Sequence, residues 1–337
     1  MKTLKRVLLP QPIESEAVGL LQSAGCEIVV SPDPKPETVI PLLARAEGLI
    51  LRTGIKITRE LLVHAEALSI ISRTGGGLDN VDVDAATDRG IVVTSNLGVN
   101  TSSVVEHALS LMLALSKQLF AMDRAVRNEQ FSIRYKNLPR DLREKTLGLL
   151  GFGRIGSELG RVCRDIFSMK IIAFDPLLPE EMKTRYREWV EFVGLQALFS
   201  RSDVLSIHAP LTEDNRHMVG EREIAWMKPE AIVINTSRGP LIDEKALIRA
   251  LSGRNISGAG LDVFSKEPVP PDDPLLKLDN VILTPHTAAL TQECVIRMAA
   301  EAAQCVIDLF SGKRPRNVAN EEVLASDRWK HLVPGTG

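Results

Sequence analysis

The sequence predicts an α/β protein built on parallel sheets with helices on both faces of each. Three observations carry that prediction: short apolar runs alternate with amphipathic segments, the alternation breaks once and restarts, and a glycine-rich turn stands at the restart. Strands that alternate with helices form βαβ units, whose crossovers cover both faces of a parallel sheet. Length adds the number of units. At about 150 residues per domain, 337 residues suggest two domains, each large enough to bury its own core.

In the first hundred residues, the apolar runs at 5–9, 26–30, 48–51, 68–72 and 91–94 read as strands. Between them, 15–24, 37–46, 58–65 and 83–89 read as helices, several opened by a Ser, Thr or Pro start signal. One long helix is expected over 101–128. Its residues Leu109, Leu111, Met112, Leu113, Leu115 and Leu119 make it apolar on much of its circumference, the mark of a helix buried between layers, domains or subunits. The stretch 130–145 is basic and poor in aliphatics, and is expected to be an exposed connection. From Thr146 the alternation restarts, with strands at 147–150, 171–174, 204–207, 232–235, 258–263 and 281–283, the number found in a doubly wound nucleotide-binding sheet. Residues 291–310 read as one last helix, and the tail to Gly337 shows little pattern.

Composition narrows the function. The 41 Lys+Arg and 43 Asp+Glu leave a formal charge of −2, which argues against binding nucleic acid by counterion release. Small, uncharged or acidic partners fit better. No apolar run approaches the ~18 residues of a transmembrane helix, and the apolar stretch after residues 1–6, three of them basic, stops at Pro10, too short for a signal peptide. A soluble cytoplasmic protein with no membrane partner is expected. Cys26, Cys163, Cys294 and Cys305 are scattered, with no C-x-x-C and no metal-ligand spacing to the histidines, so reduced thiols and no metal site are expected.

The chemistry sits at strand ends. In "LGLLGFGRIGSELG", Gly151, Gly153 and Gly156 have the G-x-G-x-x-G spacing between an apolar run and a helical pattern, the context that dinucleotide binding requires. Gly151 allows the tight turn, Gly153 lets the backbone approach a pyrophosphate, and Gly156 lets helix and strand pack closely. The helix-opening amides then face the phosphates. Asp175, nineteen residues after Gly156, ends the next strand, where a carboxylate can accept from the adenosine ribose and would repel a 2′-phosphate. NAD is therefore favoured over NADP.

Further strands deliver His208 in "SIHAPLT", Thr236, Ser237 and Arg238 in "AIVINTSRG", Asp262 and Glu267 in "GAGLDVFSKEP", and His286 in "NVILTPH". Ligands of an open parallel sheet bind at the carboxyl ends of its strands, so these groups should converge on one crevice. An Arg, a Glu and a His together form a set that 2-hydroxy acid oxidation would use. A guanidinium grips a carboxylate and polarises a carbonyl. A histidine exchanges the alcohol proton near neutral pH, and an adjacent carboxylate holds its ring and favours the protonated form. Hydride transfer belongs to the nicotinamide. His64, His107, His217 and His331 carry no partner signal, and structural roles are expected for them.

In order and spacing, "GFGRIG" with its later Asp, "HAPLT", "NTSRG", "DVFSKEP" and "TPHTAALT" resemble the D-isomer-specific 2-hydroxyacid dehydrogenase family. "SRTGGGLDNVDVDAA" and "VVEHALSLMLAL" resemble its N-terminal and interdomain segments, so the likeness covers almost the whole chain. The resemblance implies a Rossmann NAD-binding domain, 99–287, inserted into a flavodoxin-like substrate domain made of 1–98 and 288–337, with catalysis in the cleft between them. By that likeness Arg238 binds the substrate carboxylate or carbonyl, His286 is the acid/base and Glu267 its partner. Arg154 and Ile155 meet the pyrophosphate. His208, Ala209, Pro210, Thr236, Ser237 and Ala288 line the cofactor, and Asp262 takes the nicotinamide side. Arg52 and the backbone of Gly75 and Gly76 hold an anionic 2-hydroxy or 2-oxo acid, and the helix near 101–119 joins a homodimer interface.

Overall similarity suggests the D-3-phosphoglycerate dehydrogenase branch, with Arg134 and Lys136 as candidate phosphate contacts. Two departures stand against that branch: "HTAALT" replaces its "HLGAST"-like run, and Gly76 stands where its loop carries a side chain. Hydroxypyruvate or glyoxylate reduction is the alternative. No room remains for a C-terminal regulatory domain, so serine feedback is not expected. Glu267, where formate-oxidising relatives use an amide, disfavours formate as substrate. An NAD(H)-sensing corepressor is the alternative of another class.

Overall fold

The computed structural model describes residues 4–136 and 138–332. The first run of elements is β1 (Lys5–Leu9), α1 (Ser15–Ser23), β2 (Cys26–Val30), α2 (Pro36–Leu43), β3 (Gly48–Leu51), α3 (Arg59–Leu62), β4 (Ile70–Arg73), α4 (Val83–Asp88) and β5 (Val92–Ser95). Each apolar run became a parallel strand, the central ones buried and β2 at a partly exposed edge, and the sheet order is β2-β1-β3-β4-β5. Thr58 and Asp82 cap α3 and α4 by accepting from the amides of Leu61 and Ala85, which fixes where those helices begin.

The chain continues with α5 (Thr101–Ser116), α6 (Leu119–Arg127), β6 (Thr146–Leu150), α7 (Arg154–Phe167), β7 (Lys170–Phe174), α8 (Glu180–Tyr186), β8 (Val190–Phe192), α9 (Leu195–Arg201), β9 (Val204–Ile207), α10 (Glu221–Ala225), β10 (Ile232–Asn235), α11 (Glu244–Ser252), β11 (Gly258–Leu261), β12 (Val281–Leu283) and α12 (Gln292–Phe310). The second sheet is parallel throughout, in the order β12-β11-β10-β9-β6-β7-β8. Two compact units result: Thr101–Ala288 forms one, and the residues up to Asn100 together with those from Ala289 onward form the other.

Two expectations about the elements are corrected. The single long helix is two, because Gln118 takes a left-handed φ of 51° and the axis bends by 55° between α5 and α6. The apolar helix α5 is held against α7 and the second sheet, whereas α6 carries a narrower apolar stripe and cannot continue in the same groove. Among the described residues no single helix is long and apolar enough to cross a membrane. The second sheet has a seventh strand, β8, an edge strand whose "VEF" is too short for its alternation to register.

The patternless tail closes the core of the first unit. Val318 bridges Thr94, Val323, Leu324 and Trp329 are buried, and the buried side chain of Asn320 accepts from Val93 N and donates to Ile91 O and Thr87 Oγ1. The basic stretch is largely exposed, with a 3-10 turn at Phe131–Tyr135, but Leu142 is buried in the core of the second unit. Burial pushes the Cys163 and Cys305 thiols up to about 12 and about 11, which leaves them inert.

Candidate active site

A parallel sheet presents all its carboxyl ends along one edge, and in the second unit every chemically distinctive loop leaves from that edge. Gly151 follows β6 with φ +92°, and a Cβ there would lie 2.6 Å from the amide nitrogen of Ala209. The same addition at Gly156 would lie 2.4 Å from Gly151 O, whereas nothing lies within 4 Å of one at Gly153. The loop is thus packed on its protein side and open at Gly153, where α7, a helix of 14 residues with no side-chain cap, begins. Arg154 and Ile155 are its first residues. Open backbone at a helix N-terminus fits a pyrophosphate.

Asp175, just past β7, accepts from Phe152 N at 2.9 Å through Oδ2 and from Leu177 N at 3.0 Å through Oδ1. It therefore pins the glycine loop; Oδ1 also accepts from Leu178 N at 3.1 Å, whereas Oδ2 has one amide donor and keeps a lone pair for a ribose hydroxyl. After β9, burial pushes His208 down to about 4, so its ring is neutral, and Nε2 meets Ser206 Oγ at 2.8 Å. Ser237 Oγ donates to Ala209 O at 2.5 Å, which joins the loops after β9 and β10. Pro210 is exposed beside them. Thr236 Oγ1 is buried without a hydrogen-bond partner among the described residues, an orphan that fits a ligand at this edge.

Asn235 ties the next loop by accepting from Ser237 N and donating to Arg238 O, each at 3.0 Å. Arg238 Nη1 donates to Ser237 O at 2.7 Å. Gly239 then packs so closely on the loop after β11 that a Cβ would lie 1.9 Å from the carbonyl carbon of Phe264. That contact brings the Arg238 and Glu267 loops together. Glu267 accepts from Phe264 N at 3.0 Å and from His286 Nδ1 at 2.8 Å. Partial burial pushes its carboxyl up, but the His286 and Phe264 hydrogen bonds and the charges of His286 and Arg238 more than offset this, leaving it below the usual range. With Nδ1 donating to a carboxylate, Nε2 of His286 is the atom left to exchange a proton.

Asp262 is buried. Its carboxylate accepts from Thr284 Oγ1 at 2.6 Å, Thr287 N at 2.8 Å and Ala288 N at 2.9 Å, while its carbonyl accepts from His286 N at 2.8 Å. The loop carrying His286 is therefore fastened to Asp262. His107 on α5, expected to be merely structural, joins this network through Nε2, 2.9 Å from Thr284 Oγ1. No spacing in the sequence announces it, since the partners lie 177 positions apart.

In the first unit, Arg52 follows β3 and its guanidinium Nη2 donates to Glu14 Oε1. Gly75 follows β4 with φ +151°, and its amide already donates to Asn96 Oδ1 at 2.7 Å, so it is not a spare donor for substrate as expected. Gly76 is half-buried next to it. Arg134 lies over the rings of Phe131 and Tyr135, at 4.8 and 4.6 Å, within its own turn. Lys136 is exposed beside that turn.

Such an edge, which carries an open glycine turn after β6 and a fixed imidazole and carboxylate after β12 and β11, defines a dinucleotide-binding unit with proton-transfer chemistry built into it. Residues 109–288 match the family described as D-isomer specific 2-hydroxyacid dehydrogenase, NAD binding domain. The chain belongs to that family. It is 36% identical over 329 residues to D-3-phosphoglycerate dehydrogenase of Archaeoglobus fulgidus, covering 98% of this chain and 62% of that protein. It is 39% identical over 294 residues to glyoxylate reductase of Korarchaeum cryptofilum, covering 86% of this chain and 88% of that one. The solved structure of Aquifex aeolicus D-lactate dehydrogenase, complexed with NAD and lactic acid, superposes with TM-score 0.81 at 31% identity, covering 91% of this chain and 96% of that one. The chain thus spans under two thirds of the phosphoglycerate dehydrogenase it matches and most of the two others.

Proposed function

We propose that the chain is an NAD-dependent oxidoreductase that interconverts a D-2-hydroxy acid and its 2-oxo acid. The observation that carries this reading is the Glu267–His286 contact of 2.8 Å, held at the same sheet edge as the open glycine turn. When bound, the nicotinamide takes hydride from the alcohol carbon or returns it to the carbonyl carbon. The remaining work falls to side chains. Arg238 pairs with the substrate carboxylate and polarises the carbonyl. His286 Nε2 gives a proton to the carbonyl oxygen in reduction and takes it back in oxidation. Glu267, kept ionised by its partners, holds the ring through Nδ1 and offsets the charge that forms on it.

Arg154, Ile155 and the glycine turn take the pyrophosphate, and the charge of Asp175 opposes a 2′-phosphate. His208, Ala209, Pro210, Thr236 and Ser237 line the cofactor, with Asp262 and Ala288 on its nicotinamide side. Arg52 and the Gly76 amide are proposed to hold the anionic acid. Exposed Leu119, Phe120 and Val126 on α6 support a homodimer through this helical region. Relatives named phosphoglycerate dehydrogenase and glyoxylate reductase stand at similar identity, 36% and 39%, so their names do not choose the substrate.

The test is NADH-dependent reduction of phosphohydroxypyruvate, hydroxypyruvate, glyoxylate and pyruvate by the wild type, Arg238→Ala and His286→Ala. Each variant should lose at least about 100-fold in kcat/KM, while His286→Ala keeps its NADH affinity. Undiminished turnover in either variant would sink the assignment. Absence of wild-type activity on every acid would favour an NAD(H)-sensing binding protein instead.

A further inference from the structure

We propose that Glu14 is a specificity-determining residue that selects 2-oxo acids ending in a hydroxyl over those ending in a phosphate. The proposal rests on the dehydrogenase reading and names its substrate class.

In the first unit the strand order β2-β1-β3-β4-β5 reverses direction between β1 and β3. Ligands of open parallel sheets sit outside the carboxyl ends of the strands at such a switch point. Two loops leave it. The loop after β1 ends at Glu14, in the N-cap position of α1, yet its side chain does not cap that helix. The loop after β3 begins with Arg52, whose Nη2 donates to Glu14 Oε1 instead. A second tie joins the loops, from Gly54 N to Gln11 Oε1 at 2.9 Å, and Asn80 Nδ2 donates to Arg52 O at 2.8 Å. The cation at the switch point is therefore neutralised in place.

The pair is also incomplete. Glu14 Oε2 is buried and has no hydrogen-bond partner among the described residues, although the Arg52 side chain remains 34% exposed. A buried carboxylate oxygen without a donor is costly until one arrives. A substrate hydroxyl supplies that donor. A phosphate supplies none when fully ionised, must compete with Glu14 for Arg52, and is repelled by the carboxylate it displaces. Hydroxypyruvate and its reduced partner have the favoured chemistry, and phosphohydroxypyruvate has the disfavoured one.

The experiment measures equilibrium binding of hydroxypyruvate and phosphohydroxypyruvate to the NAD+-saturated chain, which has no hydride to give them, and kcat/KM for both with NADH. Wild type, Glu14→Gln and Glu14→Ser are compared. Wild type should prefer hydroxypyruvate, and both variants should shift the ratio toward phosphohydroxypyruvate by about 10- to 100-fold. Wild-type preference for the phosphorylated acid, an unchanged ratio in both variants, or binding of neither acid overturns the proposal. Binding with the expected shift but without turnover supports the selector while the dehydrogenase reading fails, so the two are separable.

Discussion

His286 holds a backbone conformation that its residue type seldom takes, with φ +54°. A non-glycine residue there stores on the order of 1–3 kcal/mol, and it persists only where its surroundings over-determine it. Those surroundings are visible: His286 N donates to both Asp262 O and Thr284 O, and the Asp262 carboxylate holds Thr284, Thr287 and Ala288. The Thr284 hydroxyl has one proton and gives it to Asp262, so His107 Nε2 must donate to that hydroxyl. Another histidine, His208, links this edge to pH. His208 titrates at about 4 when folded, below its ordinary 6.5, because burial disfavours its charge. As pH falls the unfolded chain therefore takes up this proton first. The stabilisation is complete above 6.5 and is lost toward 4, on the order of 3 kcal/mol. Urea unfolding near neutral pH and at about pH 4.5 should show a smaller loss in His208→Gln than in wild type. Equal losses would mean that the ring is solvated.

At the scale of elements, the site depends on loops meeting loops. Gly239 lets the loop after β10 lie against Phe264, and an added Cβ would fall 1.9 Å from a backbone carbon, which cannot move as a side-chain tip can. Gly239→Ala should therefore separate Arg238 from Glu267 and lower kcat/KM by about 100-fold or more, with NADH affinity changed far less. Titration of NADH fluorescence beside steady-state kinetics checks both halves, and normal kinetics would show that the contact is dispensable.

Elements whose signal is local were legible in the sequence. The strands β1, β2 and β3 coincide with the apolar runs read for them, and the glycine turn stands between β6 and α7 as its spacing required. What was hidden depends on distant partners. Gln118 is an acceptable helix former, and nothing nearby marks the break. The Glu14–Arg52 pair and the His107–Thr284 contact join residues 38 and 177 positions apart, beyond any periodicity. The availability of Gly75's amide was equally unreadable, since Asn96 claims it only after β4 and β5 pair.

At the scale of the molecule, the first unit is assembled from both ends of the chain. Trp329 is buried, and its Nε1 donates to Gly90 O at 2.7 Å, while Arg328 reaches Ser69. Trp329→Ala should destabilise that unit by about 3–5 kcal/mol through the cavity it leaves. NAD+ affinity should persist, because the residues proposed to hold the cofactor lie within Thr101–Ala288. Thermal unfolding with and without NAD+ tests this, and a parallel collapse of NAD+ binding would contradict it.

The division of the chain also sets an order of events during synthesis. Thr101–Ala288 is continuous and emerges from the ribosome whole, so it can complete its sheet while the last residues are still untranslated. The sheet that precedes it in sequence has no such freedom. Val93 waits for Asn320, 227 residues downstream, and α12 must arrive before Val7, Ile50 and Ile70 are covered. A stalled nascent chain would thus display a finished nucleotide-binding unit tethered to an apolar sheet face still exposed to chaperones.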